Sequence, residues 1–244
     1  MRDDGAARAA DQAAQAMEID PDRSSIICAI GTKGSGKSEA LRTIFNDWPY
    51  DRVVIDVTGD ARPTDPATII IPAPVPAMLP EPEEGQRRVT AWVRLDPSRK
   101  TYLQDQDDAL GLGLYPQHRN TAVWVDEYGQ MGPANIGKDQ PNLKLALQSS
   151  RHYHVTLLLA FQRPKTIPVL TLTQADKVFI FDVPIRSDRD YIANNIGFEP
   201  AEFEQAWTET MRRGDHTFLL WDKRQKLLFS CPALPLEQTH GPRA

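Results

Sequence analysis

The sequence predicts an α/β fold, with a mostly parallel sheet flanked by helices and closed by a C-terminal β-hairpin. Three observations carry this expectation. Apolar runs of strand length alternate with segments of helical period along most of the chain. Val155–Phe161 is apolar almost throughout, the pattern of a central parallel strand buried on both faces. Finally, the strand-like run Ser25–Ile30 leads through the loop Gly31-Thr32-Lys33-Gly34-Ser35-Gly36-Lys37-Ser38 into a helix-like run, Glu39–Phe45.

The chain has 244 residues, which suits one α/β domain with an insertion. A charged fraction of 25% and a hydrophobic fraction of 41% are those of a globular protein with a large core. No stretch approaches the length of an apolar membrane span, and the N-terminus lacks the apolar segment of a signal peptide. Cys28 and Cys231 lie far apart and read as buried packing residues rather than a disulfide or metal pair. His152 and His154 would share one face of a strand. With no third ligand nearby they read as polar surface residues. The net charge of −5 argues against a protein that coats DNA by bulk electrostatics.

The elements follow in chain order. Residues 1–23 are Ala-rich and acidic with no apolar stripe, and read as a helical or mobile arm. Ser25–Ile30 is the first strand. The helix after the loop turns Leu41, Ile44 and Phe45 to one face. Val53–Ile55 marks a second strand, ending in the polar turn Asp56-Val57-Thr58-Gly59-Asp60. From 61 to 86 the prolines between Pro63 and Pro82 exclude a long helix, although a short strand at Thr68–Ile71 fits. Val89–Leu95 alternates as a strand with one wet face, and Thr101–Leu112 has helical spacing on Leu103, Ala109 and Leu110. Thr121–Val125 is a core strand. Asn142–Ser150 is a helix on Leu143, Ala146 and Leu147, and Val155–Phe161 and Lys177–Val183 are strands. Asp188–Ile196 and Pro200–Arg212 are helices, and Thr217–Trp221 with Lys226–Phe229 forms the hairpin, turning at Asp222–Gln225. The domain boundaries read as an arm at 1–23, one domain at 24–235 holding an insertion and connecting segment at 61–120, and a tail at 236–244.

The loop Gly31–Ser38 fits G-x-x-x-x-G-K-[ST] at every fixed position. Glycines let backbone N–H groups close around phosphate oxygens, and the helix that follows presents its positive end to the same anion. Gly31, Thr32, Lys33, Gly34, Ser35, Gly36, Lys37 and Ser38 are therefore the candidate nucleotide cradle. Lys37 would reach the β- and γ-phosphates of ATP, and Ser38 would bind Mg²⁺. Downstream, Val123-Trp124-Val125 exits into Asp126-Glu127. A Mg²⁺-nucleotide site needs one carboxylate for the hydrated metal, a role for Asp126. It also needs a group to polarise the attacking water, a role for Glu127. Phe161-Gln162-Arg163-Pro164 ends the buried strand with an amide, and Gln162 can hydrogen-bond both the γ-phosphate and the attacking water. Together these resemble the P-loop NTPases of the RecA-like, ASCE type.

The order Gly31–Ser38, Asp126-Glu127, then Leu147 to Pro164 through Arg151 and Gln162, resembles the FtsK–HerA superfamily of P-loop motors. The likeness continues through Ala175–Phe181 to Asp188 and spans roughly residues 24 to 222. It implies a ring-forming ATPase, pentamer or hexamer, that pulls double-stranded DNA. Small soluble members of this kind are viral or phage genome-packaging ATPases, which further implies a capsid or portal protein as docking partner and a setting in host cytoplasm or virion. A ring can concentrate a few basic side chains in its channel while its outer surface stays acidic. The proline-rich stretch departs from the compact family core.

Two other readings stay open: a nucleotide-dependent assembly or extrusion protein acting on a protein partner, and a small-molecule kinase. Asp126-Glu127 and Gln162 speak against the kinase, because a hydrolase needs a water-activating acid. Members of the superfamily also use an arginine in trans at the position matched by Arg151, and Arg186 is the second candidate. The loop Tyr128–Gln140, with Lys138, reads equally as a DNA-facing channel loop and as an ordinary surface loop.

Overall fold

The computed structural model describes residues 14–59, 61–82, 88–114, 120–130 and 140–234. Its centre is a nine-stranded sheet. In chain order the strands are β1 (Ile26–Ile30), β2 (Arg52–Asp56), β3 (Ile69–Pro72), β4 (Thr90–Arg94), β5 (Thr121–Asp126), β6 (Val155–Phe161), β7 (Lys177–Ile180), β8 (Phe218–Asp222) and β9 (Leu227–Cys231). Across the sheet they run β3-β4-β2-β5-β6-β1-β7-β8-β9. Strands β3 to β7 in that order are all parallel, and β8 and β9 add an antiparallel end. The longest strand, β6, buried at every position, stands in the middle, as its near-continuous apolar sequence requires.

Side chains alternate along each strand, so the sheet builds two cores. On one face Ile27 and Ala29 of β1, Trp124 of β5 and Leu158 of β6 pack against helix α1 (Lys37–Asn46) through Ala40, Leu41 and Phe45. On the other face Cys28, Val125 and Leu159 meet α2 (Tyr102–Leu114), α3 (Pro141–Ser149), α4 (Val169–Gln174), α5 (Arg186–Ile196) and α6 (Pro200–Met211). Cys28 and Cys231 are both free and buried, as the sequence predicts. Burial pushes the Cys231 thiol up to about 12, which leaves it inert at neutral pH.

Several expectations need correction. Strand β4 has no wet face: from Thr90 to Val93 every residue is buried, with Ala91 and Val93 in one core and Trp92 in the other, and Arg94 alone is exposed. Leu103 does not face the core; it is exposed, and α2 instead buries Asp105, Gln106 and Asp107. Strand β7 stops at Ile180, short of Val183, and α5 begins two residues before Asp188. The short helix α4 is absent from the sequence reading, since six residues give too little period to register. His152 and His154 stand exposed in the turn before β6 rather than on a strand, with His154 at φ 50°. Among the described residues no cluster of metal-ligating side chains forms, and no helix is long and apolar enough to cross a membrane.

The hairpin turn is set by one side chain. Asp222 accepts the amide N–H groups of Arg224 at 2.8 Å and Gln225 at 3.1 Å, and the amide of Lys226 closes onto its carbonyl at 2.8 Å. Of the N-terminal arm, residues 14–17 are helical and Ala16 is buried, its carbonyl accepting a hydrogen bond from Lys177 Nζ.

Candidate nucleotide-binding site

Every parallel strand delivers its carboxyl end to one edge, and the candidate residues other than Arg151 collect there. The loop Gly31–Ser38 leaves β1 at this edge. It is pinned on both sides: the Gly31 amide donates to the Phe161 carbonyl at 3.3 Å and the Thr32 amide to the Asp182 carbonyl at 2.9 Å. Gly31 has no room for a side chain, since a Cβ would lie 2.5 Å from Ser35 Oγ and 2.8 Å from Phe181 Cβ. Gly34 and Gly36 hold φ of 78° and 103°, which L side chains rarely adopt. The turn they make delivers α1 with Gly36 as its N-cap and with no side-chain cap. The first amides of α1 therefore remain free for an anion.

Strand β6 lies between β1 and β5, so the paired acids reach the site from the second strand over. Ser38 Oγ donates to Asp126 Oδ1 at 2.9 Å. Burial pushes the Asp126 carboxyl above the usual carboxylate range. The Ser38 hydroxyl opposes this, Glu127 adds to it, Lys37 opposes it and Asp56 adds to it. A hydroxyl and a buried carboxylate that is costly to ionise form a hard oxygen pair. That donor set fits a divalent cation such as Mg²⁺.

Glu127 is the convergence point. Its Oε1 accepts Gln162 Nε2 at 2.9 Å and lies 3.6 Å from Lys37 Nζ. Lys37 is 4% exposed, and Glu127 is the group that balances its charge. Glu127 also sits at φ 53°, a conformation that costs energy in a non-glycine residue and concentrates at functional sites. Three residues far apart in sequence thus form one hydrogen-bonded and ionic cluster.

The two arginines fall differently. Arg151 precedes β6 at the opposite edge, about 20 Å of strand from Gln162. It pairs there with Asp176 at 3.1 Å and its side chain is largely exposed. Arg186 opens α5 at the carboxyl edge and pairs with Asp190 at 2.8 Å and Glu204 at 3.5 Å. Lys138 and most of the loop Tyr128–Gln140 lie outside the described residues. Of that loop, Tyr128 is buried and hydrogen-bonds Thr171 at 3.2 Å.

Sequence reasoning missed the contacts of four supporting groups. Asp188 is buried at the start of α5 and accepts Arg163 Nε at 2.9 Å, which fixes the residue after Gln162. Asp107 of α2 accepts the amides of Asn142 at 3.1 Å and Leu143 at 2.9 Å, capping α3 from a neighbouring helix. Gln106, beside it, donates to the Gln130 carbonyl at 3.2 Å. Asp56 organises its own turn, accepting the Gly59 amide at 2.7 Å and the Trp92 indole at 2.9 Å. Asp107 gives no local signal, because it stands in the polar run Gln104–Asp108.

No protein-family model matches the chain, and no curated protein matches it in sequence. Solved structures do. The genome packaging NTPase B204 from Sulfolobus turreted icosahedral virus 2, in complex with AMP, aligns with a TM-score of 0.60 at 15% identity, covering 89% of this chain and all of that one. Its AMPPCP complex gives 0.60 at 17% identity over 88% of this chain. The DNA-packaging ATPase B204 from Sulfolobus turreted icosahedral virus gives 0.57 at 16% identity, covering 89% and 100%. The likeness shows that the chain has the P-loop NTPase fold.

Proposed function

We propose that this protein is an ATP-hydrolysing motor that assembles as a homo-oligomeric ring and translocates double-stranded DNA, with viral genome packaging as its setting. The observation that carries the reading is the Lys37–Glu127–Gln162 cluster beside the Ser38–Asp126 pair, at the mouth of a P-loop. The B204 proteins, named as packaging NTPases and solved with nucleotides, share the fold over nearly the whole chain.

The chemistry follows from what each side chain can exchange. Backbone N–H groups of Gly31–Ser38 and the start of α1 donate to the phosphate oxygens. Ser38 and Asp126 are the residues that would hold Mg²⁺, which supplies charge neutralisation at the phosphate oxygens when bound. A γ-phosphate entering the cradle gives Lys37 and Gln162 a stronger acceptor than Glu127. Glu127, released from both, turns to the attacking water and orients it. Loss of the γ-phosphate returns Lys37 and Gln162 to Glu127, so the cluster reads the nucleotide state. A guanidinium in trans completes the charge stabilisation. Arg151 suits that role because its position at the far edge keeps it out of its own subunit's site. Arg186 is the alternative.

The test is the ATPase rate with and without long double-stranded DNA at a fixed, stated ionic strength. Stimulation by DNA that weakens with salt is the expected result. Hydrolysis indifferent to DNA would move the protein to the assembly reading, and phosphate transfer to a small acceptor would make it a kinase.

A further inference from the structure

Glu127 holds a backbone conformation that its neighbours must enforce. Among the described residues, the other non-glycine residues at positive φ, His154, His216 and Lys226, are exposed in turns. Glu127, at φ 53°, instead stands between the buried end of β5 and the 3₁₀ turn Tyr128–Gln130, whose first residue is buried. Such a conformation persists only where the surrounding structure over-determines it. We propose that Tyr128 and Thr171 are positioning residues: their buried hydrogen bond holds the turn after Glu127 and so aims the Glu127 carboxylate at Lys37 and Gln162. The inference rests on the ATP-hydrolysis reading and adds two residues, outside the phosphate cradle, that set its geometry.

Contacts on several sides of the turn support it. The Tyr128 hydroxyl lies 3.2 Å from Thr171 Oγ1 of α4, and both side chains are buried. The Tyr128 ring packs against Phe161, the residue before Gln162, with centroids 6.2 Å apart. Gly129 comes close to the chain that follows Gln162, since a Cβ there would lie 3.2 Å from Thr166 Oγ1. From the other direction Gln106 of α2, fully buried, donates its Nε2 to the Gln130 carbonyl at 3.2 Å. Within the turn the Gln130 amide closes onto the Glu127 carbonyl at 2.8 Å. The backbone on the carboxyl side of Glu127 is therefore fixed by residues of α2, α4 and β6 together.

The segments leaving β5 and β6 are thus joined twice. The outer join, Gln162 to Glu127 at 2.9 Å, is open to solvent. The inner join, Tyr128 to Thr171, is sealed: the two residues are 2% and 0% exposed. A buried hydroxyl that loses its partner is left unsatisfied at a cost, so the inner join resists exchange. It is the fixed point about which the outer one changes partners. Without it the Glu127 backbone would relax toward negative φ, which turns the side chain away from Lys37 and Gln162.

Steady-state and single-turnover ATP hydrolysis by the full chain tests the proposal, in Tyr128→Phe, Thr171→Val and the double variant. Tyr128→Phe removes the hydroxyl and keeps the ring against Phe161. The double variant removes both partners, so neither hydroxyl is left buried and unpaired. Each should lower kcat by about tenfold to a hundredfold with KM for ATP changed by less than about twofold, and the double variant should be no worse than either single one. Thr171→Ser keeps the hydroxyl and should stay within about threefold of the wild-type kcat. In a Glu127→Gln background the same changes should cost nothing further, because the carboxylate they aim is gone. Wild-type kcat in Tyr128→Phe and Thr171→Val overturns the proposal. An equal loss in the Glu127→Gln background overturns it too, since that marks a merely structural role. A wild-type rate in Glu127→Gln alone removes the water-orienting role and this inference together, whereas a wild type that hydrolyses no ATP removes the hydrolase reading itself.

Discussion

At the amino-terminal edge of the sheet, charged side chains stand in matched pairs. Arg151 meets Asp176 at 3.1 Å, and Lys177 meets Asp222 at 2.6 Å. The neighbouring polar groups are also satisfied: Asn120 spans Pro21 and Thr156 and accepts the Trp48 indole on its carbonyl. At the carboxyl edge the arrangement is unfinished. Lys37 and Gln162 share one carboxylate, that carboxylate sits on a strained backbone, Ser35 Oγ is unpaired, and burial disfavours the charged form of Asp126. One edge is therefore a closed structure, and the other keeps capacity that a ligand can satisfy. In a parallel sheet the strand carboxyl ends and the following helix N-termini all meet at one edge, so anion-binding capacity accumulates there.

The sharpest way to break this contrast is Lys37→Ala. Hydrolysis should fall below detection and nucleotide binding weaken, while the melting temperature stays close to that of the wild type. Unchanged turnover would reduce the carboxyl-edge cluster to a structural ion pair.

Glu127→Gln is the next largest test. If Glu127 orients the attacking water, removing its carboxylate should cost about 10²–10⁴ in turnover while ATP binding persists. ATP-loaded protein should then accumulate, as read by nucleotide retention on a desalting column. Near-normal turnover would move the water-activating role to another group.

Arg151→Ala probes whether the closed edge also works in trans. An exposed pair such as Arg151–Asp176 is worth only about 0.2–1 kcal/mol, so thermal stability should barely change. ATPase should nevertheless fall by about 10³-fold or more if the guanidinium serves a neighbour. Mixing Arg151→Ala with Lys37→Ala protein should restore partial activity, because some junctions then join an intact Lys37 to an intact Arg151. Assembly without restored activity would send the role to Arg186.

The smallest expected effect is a pH dependence confined to the closed edge. Burial works to raise the Asp222 carboxyl, but the Lys177 ammonium and the amides of Gln225 and Arg224 outweigh it and hold it below the usual range. The folded pKa is the lower one. The stabilisation is thus fully present above the unfolded value of about 3.9 and is lost as pH falls through the folded value. Lys177→Met should flatten the acid limb of the stability curve below about pH 4 and leave nucleotide binding at neutral pH unchanged.

Much of the fold was legible because its strands are continuous apolar runs and its helices have long periodic faces. Val155–Phe161 announced the middle strand, and Leu143, Ala146 and Leu147 the core face of α3. Elements whose environment is set by a distant neighbour were not legible. Strand β4 reads as half-wet because its alternation is local, whereas its burial comes from the two cores that receive Ala91 and Val93 on one face and Trp92 on the other. Leu103 likewise fits a helical stripe, yet α2 turns Asp107 inward to cap α3.

The candidate site divides in the same way. Residue order alone made the glycine loop Gly31–Ser38 and the acidic pair legible as candidates, because both are local: a glycine turn that only certain φ values permit, and a strand that runs straight into its acids. Only the tertiary structure decided that Lys37, Glu127 and Gln162 share one cluster, that Arg151 stands at the far edge, and that Asp182 and His216 border the cradle. Those relations depend on the strand order β5-β6-β1-β7-β8, which brings segments nearly two hundred residues apart in sequence to one edge. Chain pattern encodes what each segment is. Which segments become neighbours is settled by how the two faces of the sheet bury their apolar surface together.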